Sequence, residues 1–424
     1  MAGRGLTIGI DYTDQYCQAC YYSERHGRPE SVSGGTDVLR YLIPSVLCLD
    51  QNNFEWVIGN AALRIEEQER VLTFRDLLKH ARENDTVFTG EREYTYVQLL
   101  AAFFGQLLEF IRIRTSVMTV ESITVTMKQT DRLTKDILEQ AFGILQIPAS
   151  CIKLLSASES FGYYILNEDP GLWQDGALVF DFSSEGFFVK QLHVQFHKDQ
   201  PVICVNDYDF SADFSVDSLA SEVLRNQMDL KISNLYLDLI SKGENASVYF
   251  TGEGFDEQWF LATLNSISGN RRAFKGNNIY VKGACIAGHL RSEGIVQGFP
   301  IICRGRTRAD IYLQAWDNGK LSDILLSPAA TDWYDAGYEG DFILEEEEKV
   351  LFRIVSIMTG AVASVELDLS AFPKRPSKAT RIRIRICYSG EYDCEISIQD
   401  KGFGDFFPDS GARVSRRINL EGYI

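Results

Sequence analysis

Apolar and polar residues change rhythm along the chain. Up to about residue 290, short apolar runs alternate with stretches of helical period; beyond 300, strict alternation takes over. Leu6–Tyr12 and Tyr16–Tyr22 predict two strands joined at the polar turn Asp11-Tyr12-Thr13-Asp14-Gln15. Tyr41–Leu49 and Phe54–Ile58 are strand-like, and Asn60 is placed to cap a helix through Ala61, Ala62 and Ile65. Residues 74–82 and 95–113 predict helices, the second rich in Leu, Phe and Ile and so largely interior. ESITVTM (121–127) predicts a strand. Thr130 then caps a helix carrying Leu133, Ile137, Leu138, Ala141, Ile144 and Leu145 on one face. Residues 152–155 predict a short strand, followed by a helix to Leu166.

The opening pattern recurs at ALVFDFSSEGFFVKQLHVQF (177–196): strand, Asp181, short polar turn, strand. Residues 213–242 read as helical. SVYFTGEGF (247–255) predicts a strand ending in a Gly-rich turn, with a helix at 257–268 behind it. NIYVKGACIAGHL (278–290) predicts a strand or turn running into a small-residue helix. A strand–Asp–turn–strand unit thus occurs twice, each time followed by α/β material, which outlines an internally duplicated α/β fold. In TRIRIRICYS (380–389), Ile382, Ile384 and Ile386 share one face, and Arg381, Arg383 and Arg385 the other. Ser389-Gly390 supplies a hairpin turn and Cys394–Ile398 the return strand. Residues 300–424 therefore predict an all-β sandwich, with the domain boundary between Gly288 and Phe299.

Length and composition narrow the class. A chain of 424 residues calls for two or three domains, and 45% hydrophobic and 12% aromatic content marks a folded protein. A net charge of -17 argues against nucleic acid and against an anionic membrane surface as partners. The N-terminus has no signal-peptide h-region, and no apolar run approaches the roughly 18 residues of a membrane span, so a cytoplasmic location is expected. The nine cysteines then read as reduced thiols. Cys17 and Cys20 lie three apart in a predicted strand and point to opposite faces, as core thiols do.

The two Asp-bearing hairpins, the Gly-rich turn and the β C-terminus together resemble the seventy-kilodalton heat-shock chaperones of the actin-like ATPase superfamily. IGIDYTD resembles that family's first phosphate hairpin, and VFDFSSEGFFV its second. VYFTGEGF resembles the adenosine-side turn, VKGACIAG the helix behind it, and VELDLSAFPKRPSKATRIRIRICYSGEYDCEISIQDKGFGD the peptide-binding β-sandwich. ITVTMKQTDRLTKDILEQAFGILQI and LLSASESFGYYIL resemble the segments connecting the two hairpins. The resemblance implies an α/β duplicated actin-like ATPase fold at 1–292, with ribonuclease-H-like halves at about 1–170 and 171–292. The β-sandwich at 300–424 would follow, without a helical lid. It also implies that most of the helical lobe of the second half is lost, since only about fifty residues separate Gln200 from Thr251.

The resemblance carries a nucleotide site over to Asp11, Thr13 and Gln15 on the first hairpin, Asp181, Ser183, Ser184 and Gly186 on the second, and Gly252 and Gly254 at the adenosine turn. Asp11 and Asp181 would orient Mg²⁺ through water. An Asp at a strand end equally caps the turn that follows it. The family's phosphate glycines are replaced by Thr13 in one hairpin and by Ser183, Ser184 and Glu185 in the other. Asp14 and Glu185 place negative charge where phosphate would sit, a repulsion of about 4 kcal/mol per pair at ~4 Å. The catalytic carboxylate falls on Ala157, and the phosphate-facing lysine on Leu77, with Lys79 as a substitute or a surface lysine. The expected protein is a chaperone-like scaffold that binds a protein or unfolded polypeptide client and does not hydrolyse ATP. The alternatives are a slow chaperone using ATP/ADP with Mg, its phosphate site rebuilt from Thr13, Ser183 and Ser184, and an actin-like filament protein.

Overall fold

The computed structural model describes all residues except 1–4, 34–40, 91, 198–199, 241–245, 268–271, 296–298, 318, 346–347 and 424. The chain divides into two compact units. One comprises Met1–His193 and Val205–Gly298, the other Val194–Cys204 and Phe299–Ile424.

The first unit opens with the meander β1 (Leu6–Tyr12), β2 (Tyr16–Ser23) and β3 (Arg28–Ser31), with β4 (Ile43–Pro44) also pairing with β2. β5 (Leu47–Asp50), β6 (Glu55–Ile58) and β7 (Val71–Phe74) form a small antiparallel sheet around α1 (Gly59–Ile65). The helix expected at 74–82 is split: β7 ends at Phe74, and α2 (Leu77–Arg82) starts after Asp76 at φ 51°. A hairpin of β8 (Thr86–Phe88) and β9 (Glu93–Thr95) leads into α3 (Tyr96–Thr115).

α3 starts with a capping box, Thr95 and Gln98 bonding each other's backbone N–H. It is long and apolar enough to cross a membrane by length and composition. Its residues Leu99, Leu100, Phe103, Phe104, Leu107, Leu108 and Ile111 are packed into the core of this unit, where Tyr12 meets the Phe103 and Phe104 rings at 5.9 and 5.5 Å.

β10 (Val120–Met127), α4 (Arg132–Ile144), β11 (Ile152–Ser156) and α5 (Ala157–Leu166) complete the first half. The first sheet runs β11-β10-β1-β2-β3, with β10 parallel to both β1 and β11. Two capping expectations fail. Ile58, not Asn60, precedes α1, and no side chain caps it. Asp131, not Thr130, caps α4: its carboxylate accepts the Thr134 N–H at 2.8 Å and is gripped by Arg82.

The second half consists of β12 (Ala177–Ser183), β13 (Gly186–His197), β14 (Gln200–Asp209), α6 (Glu222–Leu239), β15 (Ser247–Thr251), α7 (Leu261–Ser266), β16 (Ala273–Lys275) and α8 (Ile279–Ser292). α6 and α7 are shorter than the helices expected at 213–242 and 257–268; residues 241–242 and 268 lie outside the described ones. This sheet runs β16-β15-β12-β13-β14, with β12 antiparallel to β13 and parallel to β15. Its order repeats that of the first sheet. α8 lies on β1: a Cβ on Gly9 would come within 2.4 Å of the Val281 carbonyl.

In the second unit, Ile203 and Cys204 of β14 pair with β17 (Ile301–Ile302). β18 (Ala309–Asp317), β19 (Lys320–Ser327), β21 (Lys349–Ser356) and β22 (Val362–Asp368) form a sheet in the order β19-β18-β21-β22. β20 (Gly337–Leu344), β23 (Thr380–Tyr388), β24 (Asp393–Asp400) and β25 (Arg413–Asn419) form another, in the order β20-β23-β24-β25. The inward faces share one core. Ile382, Ile384 and Ile386 join Ile311, Phe352 and Ile354 there. Arg383 stays outside and pairs with Asp341 across β20. Buried Asp400 is held by both terminal guanidinium nitrogens of Arg375, at 2.6 and 2.8 Å.

Candidate functional site

The parallel strands of both sheets in the first unit end at one cavity of about 110 Å³. Asp11 stands on β1, Lys128 follows β10, Ala157 follows β11, Asp181 and Ser183 end β12, and Thr251 and Gly252 end β15. Carboxyl ends of parallel strands are where open α/β sheets bind ligands, because adjacent connections diverge there.

Thr13 and Gln15 line the cavity, but the first turn spends its donors on itself. Thr13 Oγ1 accepts the Gln15 and Tyr16 N–H groups at 3.2 and 3.0 Å, and the Thr13 N–H donates to the Tyr16 carbonyl. The Asp14 expectation fails. Its side chain does not line the cavity; it accepts the Leu78 and Lys79 N–H groups at 2.8 and 3.0 Å, at the start of α2. Leu77 is buried, and Lys79 is exposed and away from the cavity.

The second turn also turns to protein. Ser183, Ser184 and Glu185 line the cavity. The Ser184 N–H donates to Glu253 Oε1 at 2.8 Å, and the Ser184 hydroxyl reaches Gln15 Oε1 at 3.4 Å, linking the hairpins. Gly186 and Gly254 are not on the lining. Gly252 is, with φ 92°, and a Cβ there would lie 2.2 Å from the Phe182 carbonyl oxygen. Close packing on the end of β12 therefore accounts for this glycine without a ligand.

Among the described residues, four carboxylates, of Asp11, Asp181, Glu185 and Glu253, line the cavity against one ammonium, Lys128. Lys128 is bound to Glu185 at 2.5 Å and sits over the Phe188 ring. Burial, reinforced by the Asp181 and Glu185 charges, pushes the Asp11 carboxyl up to about 7. Burial also raises Asp181, against the opposing pull of Lys128 and Lys190. Lys190 is itself buried, donating to Asp207 at 2.8 Å and Ser158 at 3.1 Å. Ala157 puts a methyl group where the family resemblance expects a general base, and Glu159 is buried off the lining.

Set against a Mg²⁺-polyphosphate, these residues fit poorly. The amide and ammonium that would meet phosphate are bound to Glu253 and Glu185, and the cavity is smaller than the ~300–1,000 Å³ of ordinary ligand pockets. The carboxylates of Asp11 and Asp181 suit a cation.

Gln18, Lys128, Glu253, Asn277 and Tyr280 also line the cavity, and none was singled out from the sequence. Lys128 had a signal available, being the first residue beyond a predicted parallel strand. Gln18 lies on β2 just beyond the first turn and Glu253 between Gly252 and Gly254, whereas Asn277 and Tyr280 arrive from a distant segment.

The chain belongs to a family of unknown function, DUF5716, whose C-terminal model matches residues 28–304. Residues 306–420 match a domain of unknown function, DUF8552. The two matches meet a few residues beyond the structural division at Phe299. Neither description names an activity, and no curated protein matches the chain.

Proposed function

We propose that the protein is a chaperone-like scaffold for a protein or peptide client, built on an actin-like ATPase fold whose nucleotide cleft does not hydrolyse ATP. Two sheets of the same order, each with an Asp at the end of its central strand, support that fold. One observation carries the loss of chemistry: the Ser184 amide, which would face a phosphate, donates to the protein's own Glu253. The methyl of Ala157 leaves no carboxylate there to activate water. On the client side, β19 is an edge strand, and Leu321 and Leu325 on it are 48% and 45% exposed, with Trp316 opposite Leu321. An extended chain can add to such an edge through its backbone. This reading places the protein in the cytoplasm, where unfolded clients arise.

Thermal melts of the full chain with Mg·ATP and Mg·ADP, alongside phosphate release and capture of a labelled unfolded client, test this. A ligand at 100 times its Kd adds about 2.7 kcal/mol, so binding would be visible. We expect no nucleotide shift, no phosphate release, and capture weakened by Leu321→Lys. A clear Mg·ATP shift, or no capture, would overturn the reading.

A further inference from the structure

The cavity also indicates the chemistry it accepts, an inference that rests on the non-phosphate reading above. Gln18 Oε1 and Asn277 Oδ1 are buried oxygens on lining residues, and neither accepts a hydrogen bond from any of the described residues. Their orientation is settled by the nitrogen at the other end of each amide. Gln18 Nε2 donates to the Asn277 carbonyl at 2.6 Å, and Asn277 Nδ2 donates to Asp256 Oδ1 at 3.0 Å. The Tyr280 hydroxyl, also buried on the lining, hydrogen-bonds the Asp181 carboxyl and so points its donor at that side of the cavity. Gln18 is only 9% exposed, so a bulk-water partner is excluded for most of its surface. Orphaned groups of this kind are rare in folded proteins and call for a partner.

What that partner must bring follows from the neighbours. Lys128 is paired with Glu185, and Glu253 accepts the Ser184 N–H but keeps its charge. Beside its serine and threonine hydroxyls, the cavity then offers two amide oxygens and the Asp181, Glu253 and Asp11 carboxyls, the last an acceptor once it gives up its proton, so acceptors predominate. They need N–H donors carrying positive charge. Tyr16, Leu42 and Tyr280 add an apolar wall, and a tyrosine face attracts a cation. An ammonium supplies three donors and no acceptor, and a short alkyl stem fits the apolar wall. We propose that the cavity binds an alkylammonium group, supplied by a free amine or by a lysine side chain of a bound polypeptide.

The test uses the full chain, with melting and calorimetric titration against 1,4-diaminobutane, Nα-acetyl-lysine methylamide, sodium chloride at matched ionic strength, and Mg·ATP. One or both amines should raise the melting temperature where the salt does not. Response to the diamine alone assigns a free amine as the source; response to the lysine amide alone assigns a polypeptide. Asp181→Asn should weaken binding about tenfold, the effect of losing one charged hydrogen bond. Asn277→Leu, at a partly exposed position, should weaken it independently. No shift with either amine, or a shift unchanged in both variants, overturns the inference while leaving the non-hydrolysing scaffold standing. A Mg·ATP shift would instead overturn the scaffold reading and the inference with it.

Discussion

Asp11 concentrates the strain of the cleft in one proton. Its carboxyl, pushed up to about 7 by burial and by Asp181 and Glu185, starts from an ordinary value of 3.8. The folded state therefore holds the proton more tightly than the unfolded chain, and stability falls as pH rises from about 4 through about 7. At 1.36 kcal/mol per pKa unit, the upper bound of the loss is about 4 kcal/mol. Asp11→Asn should flatten this slope and raise stability in urea at pH 8 more than at pH 5. Equal pH dependence in the two proteins would mean that Asp11 is compensated. Asp11, Asp181, Ser183 and Ser184 were legible because each lies beside its own hairpin. Gln18 and Asn277 were not, since they are 259 residues apart and meet only through the fold. Asp14 was misread for a related reason: its position in the turn does not reveal that α2 offers it two N–H groups.

Among the elements, long periodic segments were legible and their ends were not. The strand expected at 121–127 is Val120–Met127, and the Ile/Arg alternation at 380–389 is Thr380–Tyr388. The break before α2 depends on Asp76 taking a left-handed φ, which hydrophobic periodicity does not register. Helix packing was legible only as a run of small residues. In α8, a Cβ on Gly283 would lie 1.8 Å from the Ser160 carbonyl oxygen of α5, closer than any packing allows. Gly283→Ala must therefore part α5 from α8. We expect a loss of about 1–3 kcal/mol, the usual cost of overpacking, measured as a lower urea midpoint at unchanged slope. Because α5 begins at Ala157 on the cavity, the same variant should also disturb binding there.

For the whole molecule, the division of the chain is not a single cut. Sequence periodicity placed one boundary between Gly288 and Phe299, whereas the second unit also takes Val194–Cys204 from the middle of the chain. That segment is invisible to periodicity because the strand read at 177–196 runs on without a break, no element is read at Gln200–Asp209 where β14 lies, and only the strand partners show where each part belongs. Within the second unit, Val202 and Cys204 pack with Ile302, Ala330, Ile357 and Met358, Cys204 Sγ lies 3.5 Å from Met358 Sδ, and Ile203 pairs with Ile301. A fragment of residues 299–424 would expose this cluster. Two small buried side chains and their strand pairing contribute about 3 kcal/mol, which for a domain of this size is about 10 °C in Tm. The isolated fragment should melt lower by about that amount than the same fragment with residues 194–204 fused to it. Identical melting would show that the β-rich unit is complete without the segment, and that the single boundary read from the sequence is the physical one.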